Sequence, residues 1–97
     1  MNNINRIALQ FVTYDEKVIE IRDRLIQIRK NYKISQKELA KLSNVSYGSI
    51  RRFESTGEIS FSSLVKIAVA MRLYDDLDNL FKVKNAYPSI EDLFNDW

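Results

Sequence analysis

The stretch Ser35 to Glu54, SQKELAKLSNVSYGSIRRFE, constrains the fold of this chain more than any other. Ser35 followed three residues later by Glu38 is a capping-box pattern, in which hydroxyl and carboxylate each take a free backbone N–H at a helix start. The helix it opens is short, Gln36 to Leu42, and its apolar positions are Leu39, Ala40 and Leu42. Ala40 is small enough to let two helices cross closely. Ser43-Asn44 breaks the pattern, and Asn tolerates the left-handed backbone that a sharp turn demands. Ser46 caps a second helix that ends near Ser55-Thr56-Gly57, where Gly57 suits the left-handed position after a helix C-terminus. Helical spacing turns Ile50 and Phe53 inward with Ser46 and Ser49 beside them, and turns Tyr47, Gly48, Arg51 and Arg52 outward together.

The remaining segments also read as helices. Two glycines and one proline in 97 residues leave few breakers, which favours an all-α fold. Thr13 with Glu16 is another capping box and opens a helix to about Asn31. Val18, Ile21, Leu25, Ile28 and Tyr32 form its apolar stripe, and Ile19 and Ile26 a second line. Ser60 or Ser62 caps a helix to about Arg72, with Leu64, Ile67, Ala68 and Met71 inward and Val65 and Val69 beside them. Tyr74 to Phe81 reads as a fifth helix, with aspartates early and Lys82 late as the helix dipole favours, and Leu77, Leu80 and Phe81 as its apolar face. Ser89 and Asp92 then open an amphipathic turn or two, in which Ile90, Leu93, Phe94 and Trp97 fall at i, i+3, i+4 and i+7. Residues 2–12 fit helical spacing (Ile4, Ile7, Ala8, Phe11) and strand alternation (Ile7, Leu9, Phe11), with the helix preferred. The division is an N-terminal extension at 1–12, a helical domain at 13–82 and a tail at 83–97.

Composition excludes several classes. The chain has no His and no Cys, so most zinc sites and most nucleophile–base pairs cannot be built. The acids sit singly on helix surfaces or in first turns. Neither catalytic residues, nor metal, nor cofactor is expected, and the chain does not read as an enzyme. No apolar run approaches the roughly 18 residues of a membrane-spanning helix, no secretory signal is visible, and the lack of cysteine fits a reducing, cytoplasmic setting. The net charge of +2 is unevenly distributed: Lys17 to Arg52 carries a local +7, and Phe53 to Trp97 a local −4. One face thus attracts polyanions and another avoids them, although a solvated basic face would show the same asymmetry.

At Gln36 to Phe53 the pattern resembles the helix-turn-helix of phage repressors, the Cro/cI or Xre family. The resemblance is carried by Gln36, Leu39-Ala40, Asn44-Val45, Ser46, Ile50 and Phe53-Glu54, and it extends from about Arg22 to Phe81. It implies a five-helix, phage-repressor-like DNA-binding domain. Two departures stand out: Asn44 where the family usually has Gly, and a loop Ser55-Thr56-Gly57-Glu58 one residue longer than usual. That loop carries an acid where phosphate-binding basic residues often lie, which weighs against a loop–phosphate contact. GSIRRFESTGEISFSSLVKIA, Leu77 to Phe81, and Tyr87 to Leu93 are similar to HipB-like antitoxins encoded beside HipA-like kinase toxins. That similarity implies a homodimer that represses its own operon and binds a kinase toxin.

The expected partner is double-stranded DNA with a near-palindromic operator. The second helix of such a motif enters the major groove, and the first crosses the backbone. Tyr47, Gly48, Arg51 and Arg52 are the candidate base contacts, since arginine can bind guanine through two parallel hydrogen bonds. Gly48 is explained by close approach of DNA or by neutral accident. Ser35, Gln36, Lys37, Ser46 and Ser49 are candidates for phosphate, helped by helix N-termini; a plain helix start is the alternative for Gln36. The family resemblance implies an ion pair between Arg29 and Glu54. Ile90, Leu93, Phe94 and Trp97 are candidates for partner binding, with Trp97 either anchoring another chain or folded onto its own. The rival readings are a stand-alone regulator without a toxin, and an interaction module that has lost DNA binding.

Overall fold

Hydroxyl caps start five of the six helices in the computed structural model, which describes residues 13–95. Thr13 caps α1 (Tyr14–Asn31), Ser35 caps α2 (Gln36–Ser43), Ser46 caps α3 (Tyr47–Thr56) and Ser60 caps α4 (Phe61–Ala70). Each accepts a hydrogen bond from the backbone N–H three residues on, which satisfies a donor that has no partner within the helix. α5 (Tyr74–Asn79) lacks a side-chain cap. α6 (Ile90–Asn95) begins at Ser89, whose hydroxyl and backbone N–H exchange hydrogen bonds with Asp92. No strand occurs among the described residues. Among the described residues the helices number six where the family resemblance implies five, because the tail beyond Pro88 closes into a helix of its own. Trp97 and the helix-or-strand question over residues 2–12 lie outside the described residues.

With so few glycines, most helices are stopped another way. Lys33, Asn44 and Arg72 adopt left-handed backbone, with φ of 59°, 57° and 62°, at a cost of about 1–2 kcal/mol each for a residue with a Cβ. Each is succeeded by an apolar residue set into or against the core: Ile34, Val45 and Leu73. The backbone N–H groups of Ile34 and Leu73 return to Arg29 O and Ala68 O, five residues back, as in a Schellman end. Burial of the next side chain thus holds the strained residue in place. Gly57, at φ 84°, ends α3 without that strain, and a Cβ there would lie 2.5 Å from Val18 Cγ1.

The core is small. Leu39, Val45, Ile50, Ile67 and Met71 form one buried cluster, with Leu25, Ile28, Ile34, Ala40, Ile59, Ala70 and Leu73 packed around it; Phe53 and Ala68 are also buried. α2 packs against α3 and α4, α1 against α3, and α5 against α4. Ser43 is buried but satisfied, donating to Leu39 O and accepting from Val45 N.

Several expected positions fall elsewhere. The inward arc of α2 runs through Leu39, Ala40 and Ser43, so Leu42 lies past its edge and is exposed. α1 lies on the outside of the core: no residue of it is fully buried, and Ile19, Ile21 and the Tyr32 ring are exposed. The Tyr32 hydroxyl nevertheless donates to Met71 O. α4 ends at Ala70 rather than Arg72, whose left-handed φ cannot continue a helix. Val69 is exposed. Ser46 and Ser49 do not flank the core but lie exposed, joined hydroxyl to hydroxyl at 2.7 Å. α5 stops at Asn79, and left-handed backbone at Phe81 carries its ring away from the core, leaving it 90% exposed; Leu80 is exposed too.

One polar contact ties the first three helices. Arg29 of α1 donates through Nε and Nη2 to the two carboxylate oxygens of Glu54, at 2.7 and 2.9 Å. Its Nη1 donates to Ile34 O, and Gln36 Nε2 donates to Glu54 Oε1. The two ionic side chains are only 12% and 9% exposed. Two charges so far from water are tolerated because each nitrogen of the guanidinium and each oxygen of the carboxylate has a hydrogen-bond partner.

The ion pair and the α2 cap each set a measurable stability. Arg29→Ala or Glu54→Ala strands its partner's charge and should lower the unfolding free energy by roughly 3 kcal/mol, read by urea denaturation. The double variant should cost less than the sum of the two singles. Glu38 is held below the ordinary glutamate value of 4.5, first by the Ser35 backbone N–H, then by the Ser35 hydroxyl and Lys41. A carboxylate lowered in the folded state stabilises above the unfolded value, and the effect is lost as pH falls through the folded one. The stability difference between wild type and Glu38→Gln should therefore be constant above pH 4.5 and close as the solution is acidified further.

Candidate nucleic-acid interface

α3 divides its side chains between two environments. Ile50 is fully buried and Phe53 nearly so, while Tyr47, Gly48, Arg51 and Arg52 all lie exposed on the other side. The Ser46 cap fixes where the helix begins, Gly57 where it ends, and Glu54 ties its last turn to α1 and α2. The outward side chains therefore ride on a rod held at its start, middle and end.

Tyr47 organises the face. Lys37 Nζ lies 5.4 Å from its ring centroid and Arg51 Cζ 5.5 Å, both within the roughly 6 Å at which a cation feels the ring quadrupole. A lysine from α2 and an arginine from α3 are thereby gathered around one aromatic. Among the described residues no carboxylate pairs with Arg51. Arg52 differs: its Nη2 donates to Glu58 Oε2 at 2.9 Å. Gly48 has no atom within 4 Å of where a Cβ would stand. Nothing among the described residues requires a glycine there.

The phosphate candidates are placed unequally. The Ser35 hydroxyl is committed to the start of α2, accepting from Glu38 N and helping to hold the Glu38 carboxylate. The Ser46 hydroxyl donates to Ser49 Oγ, which leaves the Ser49 hydroxyl as the outward donor of that pair. The Gln36 side chain is half-buried, and its Nε2 donates to Glu54 Oε1. Lys37 offers its exposed ammonium group, and the first N–H groups of α2 have no acceptor within the helix. Lys30 of α1 is a cation that sequence reasoning did not place beside α3. It lines one open groove with Arg29, Gln36, Gly48, Arg51 and Arg52, and only the packing of α1 against α3 brings it there.

Among the described residues no group of acids could hold a metal ion, and no helix is long and apolar enough to cross a membrane. On α6, Ile90, Leu93 and Phe94 are exposed at 68%, 53% and 74%, away from the cationic face in sequence and separate from the core cluster.

No curated protein and no solved structure matches the chain. A family model described as helix-turn-helix matches residues 25–76, more than half of the chain, from the middle of α1 through the paired helices α2 and α3 into α5. With the turn at Asn44, the caps at Ser35 and Ser46 and the exposed cations of α3 all inside that span, the chain belongs to the helix-turn-helix family of DNA-binding regulators.

Proposed function

We propose that this chain is a sequence-specific transcriptional repressor that lays α3 in the major groove of double-stranded DNA. The observation that carries the reading is the two-sidedness of α3: Ile50 and Phe53 are committed to the core, and Tyr47, Gly48, Arg51 and Arg52 have no role within it. The major groove admits an α-helix and shows a distinct donor and acceptor pattern for each base pair. Arg51, paired with no carboxylate among the described residues and steadied over Tyr47, is the foremost candidate for guanine. Arg52 is the second, and Gly48 allows the backbone to come close. Lys37, Ser35, Ser49 and the start of α2 then meet phosphates, which set register without reading sequence.

Beyond this, the resemblance to HipB-like antitoxins supports a homodimer on a near-palindromic operator, acting in the cytoplasm on its own operon and binding a HipA-like kinase toxin. The tail suits that partner role, because Ile90, Leu93 and Phe94 stand exposed on one short helix and a helix-in-groove contact uses such spacing.

Selection from a pool of random duplexes, and then titration of the enriched sequence, tests the reading. Binding should weaken steeply as salt rises, because neutralised phosphates release counterions. Arg51→Ala should cost about 1–3 kcal/mol on the enriched duplex, roughly 5- to 150-fold, and much less on a scrambled one. An equal loss on both duplexes would recast Arg51 as a phosphate contact.

A further inference from the structure

Arg52 and Glu58 face each other where a bound duplex would lie, and the pairing is not left to chance. Thr56 Oγ1 donates to Arg52 O at 2.6 Å and accepts from Glu58 N at 3.0 Å, which straps the loop residue to the end of α3. On one side of Glu58, Gly57 is pressed against Val18. On the other, Ile59 packs against the core. Arg22 Nη1 also reaches Ser55 O at 3.5 Å. The carboxylate is thus presented by a backbone fixed on both flanks, although both charged side chains remain about two-thirds exposed.

We infer that Glu58 is a specificity-determining residue, acting through Arg52, for the DNA-binding reading on which this inference rests. The contact is single: Nη2 meets one carboxylate oxygen, and most of the five N–H donors of the guanidinium remain. A guanine edge is neutral and offers two acceptors, so Arg52 can donate to it while still paired with Glu58. A phosphate is an anion. Approaching the same guanidinium, it meets the carboxylate as a like charge a few ångströms away and finds the arginine already neutralised. Glu58 therefore leaves the base contact in place and removes the backbone contact that every sequence provides. Weak indiscriminate binding is the result, and the difference between the right sequence and all others widens.

The test uses the full chain, a duplex enriched from a random pool, and a scrambled duplex of the same composition. An exposed ion pair bounds the effect at up to about fivefold. Glu58→Gln should raise affinity for the scrambled duplex by about three- to fivefold and for the enriched duplex by less than twofold, with the melting temperature unchanged. The salt dependence on the scrambled duplex should steepen by about one phosphate's worth, close to 0.9 in log–log slope. In an Arg52→Ala background, Glu58→Gln should leave the ratio of the two affinities where it was. Equal gains on both duplexes, or a change in ratio that persists without Arg52, would overturn the inference and leave the DNA-binding reading intact. Failure of the wild-type chain to enrich any duplex would overturn both.

Discussion

Glu54 is the point on which the geometry of the exposed face turns. It sits in the last turns of α3, and its carboxylate takes two hydrogen bonds from Arg29 of α1 and one from Gln36 of α2. An almost buried carboxylate is a liability unless its lone pairs are filled. Filling them from two other helices fixes the rotation of α3 about its own axis. Rotation is what matters for this helix, because a turn of one residue, about 100°, would bring Ile50 out and bury an arginine. Greasy contacts alone are poorly directional. The ion pair supplies the direction.

Around that anchor the chain separates holding from reaching. Ile50 and Phe53 hold; Arg51 and Arg52, adjacent in sequence, reach. The two arginines are then treated differently, Arg51 resting over the Tyr47 ring beside Lys37 and Arg52 bridled by Glu58. Neighbouring guanidinium groups would repel and wander if left to solvent. Giving one an aromatic face and the other a carboxylate keeps them apart and limits the orientations that must be lost on binding, which is a gain in preorganisation.

Much of this was legible in the residues, and the legible part is local. Thr13, Ser35, Ser46, Ser60 and Ser89 announce helix starts because a cap bond spans only three residues. The two sides of α3 arise from 3.6-residue periodicity. Helix ends at Lys33, Arg72 and Phe81 were not legible, since left-handed backbone at a Lys, Arg or Phe is imposed by burial of the next side chain or by the turn of the chain and not by the residue's own preference, unlike the turn at Asn44. Leu42 and Phe81 look like core from hydropathy alone, and one lies just past the buried arc while the other is carried off by a turn. The Gln36 amide went to Glu54, eighteen residues away, a partner that no spacing rule suggests. The Arg29–Glu54 pair was anticipated only through family resemblance, and Arg52 with Glu58 depends on how Gly57 reverses the chain.

Whether α3 reads base edges from the major groove is decided by chemical interference. Methylation of guanine N7 blocks that groove's acceptor and leaves the minor groove untouched. On the duplex this chain selects, N7 methylation of one or more guanines should abolish binding, while methylation of adenine N3 in the minor groove should have little effect where the helix lies. Binding that survives every N7 methylation and fails on N3 methylation would contradict the account.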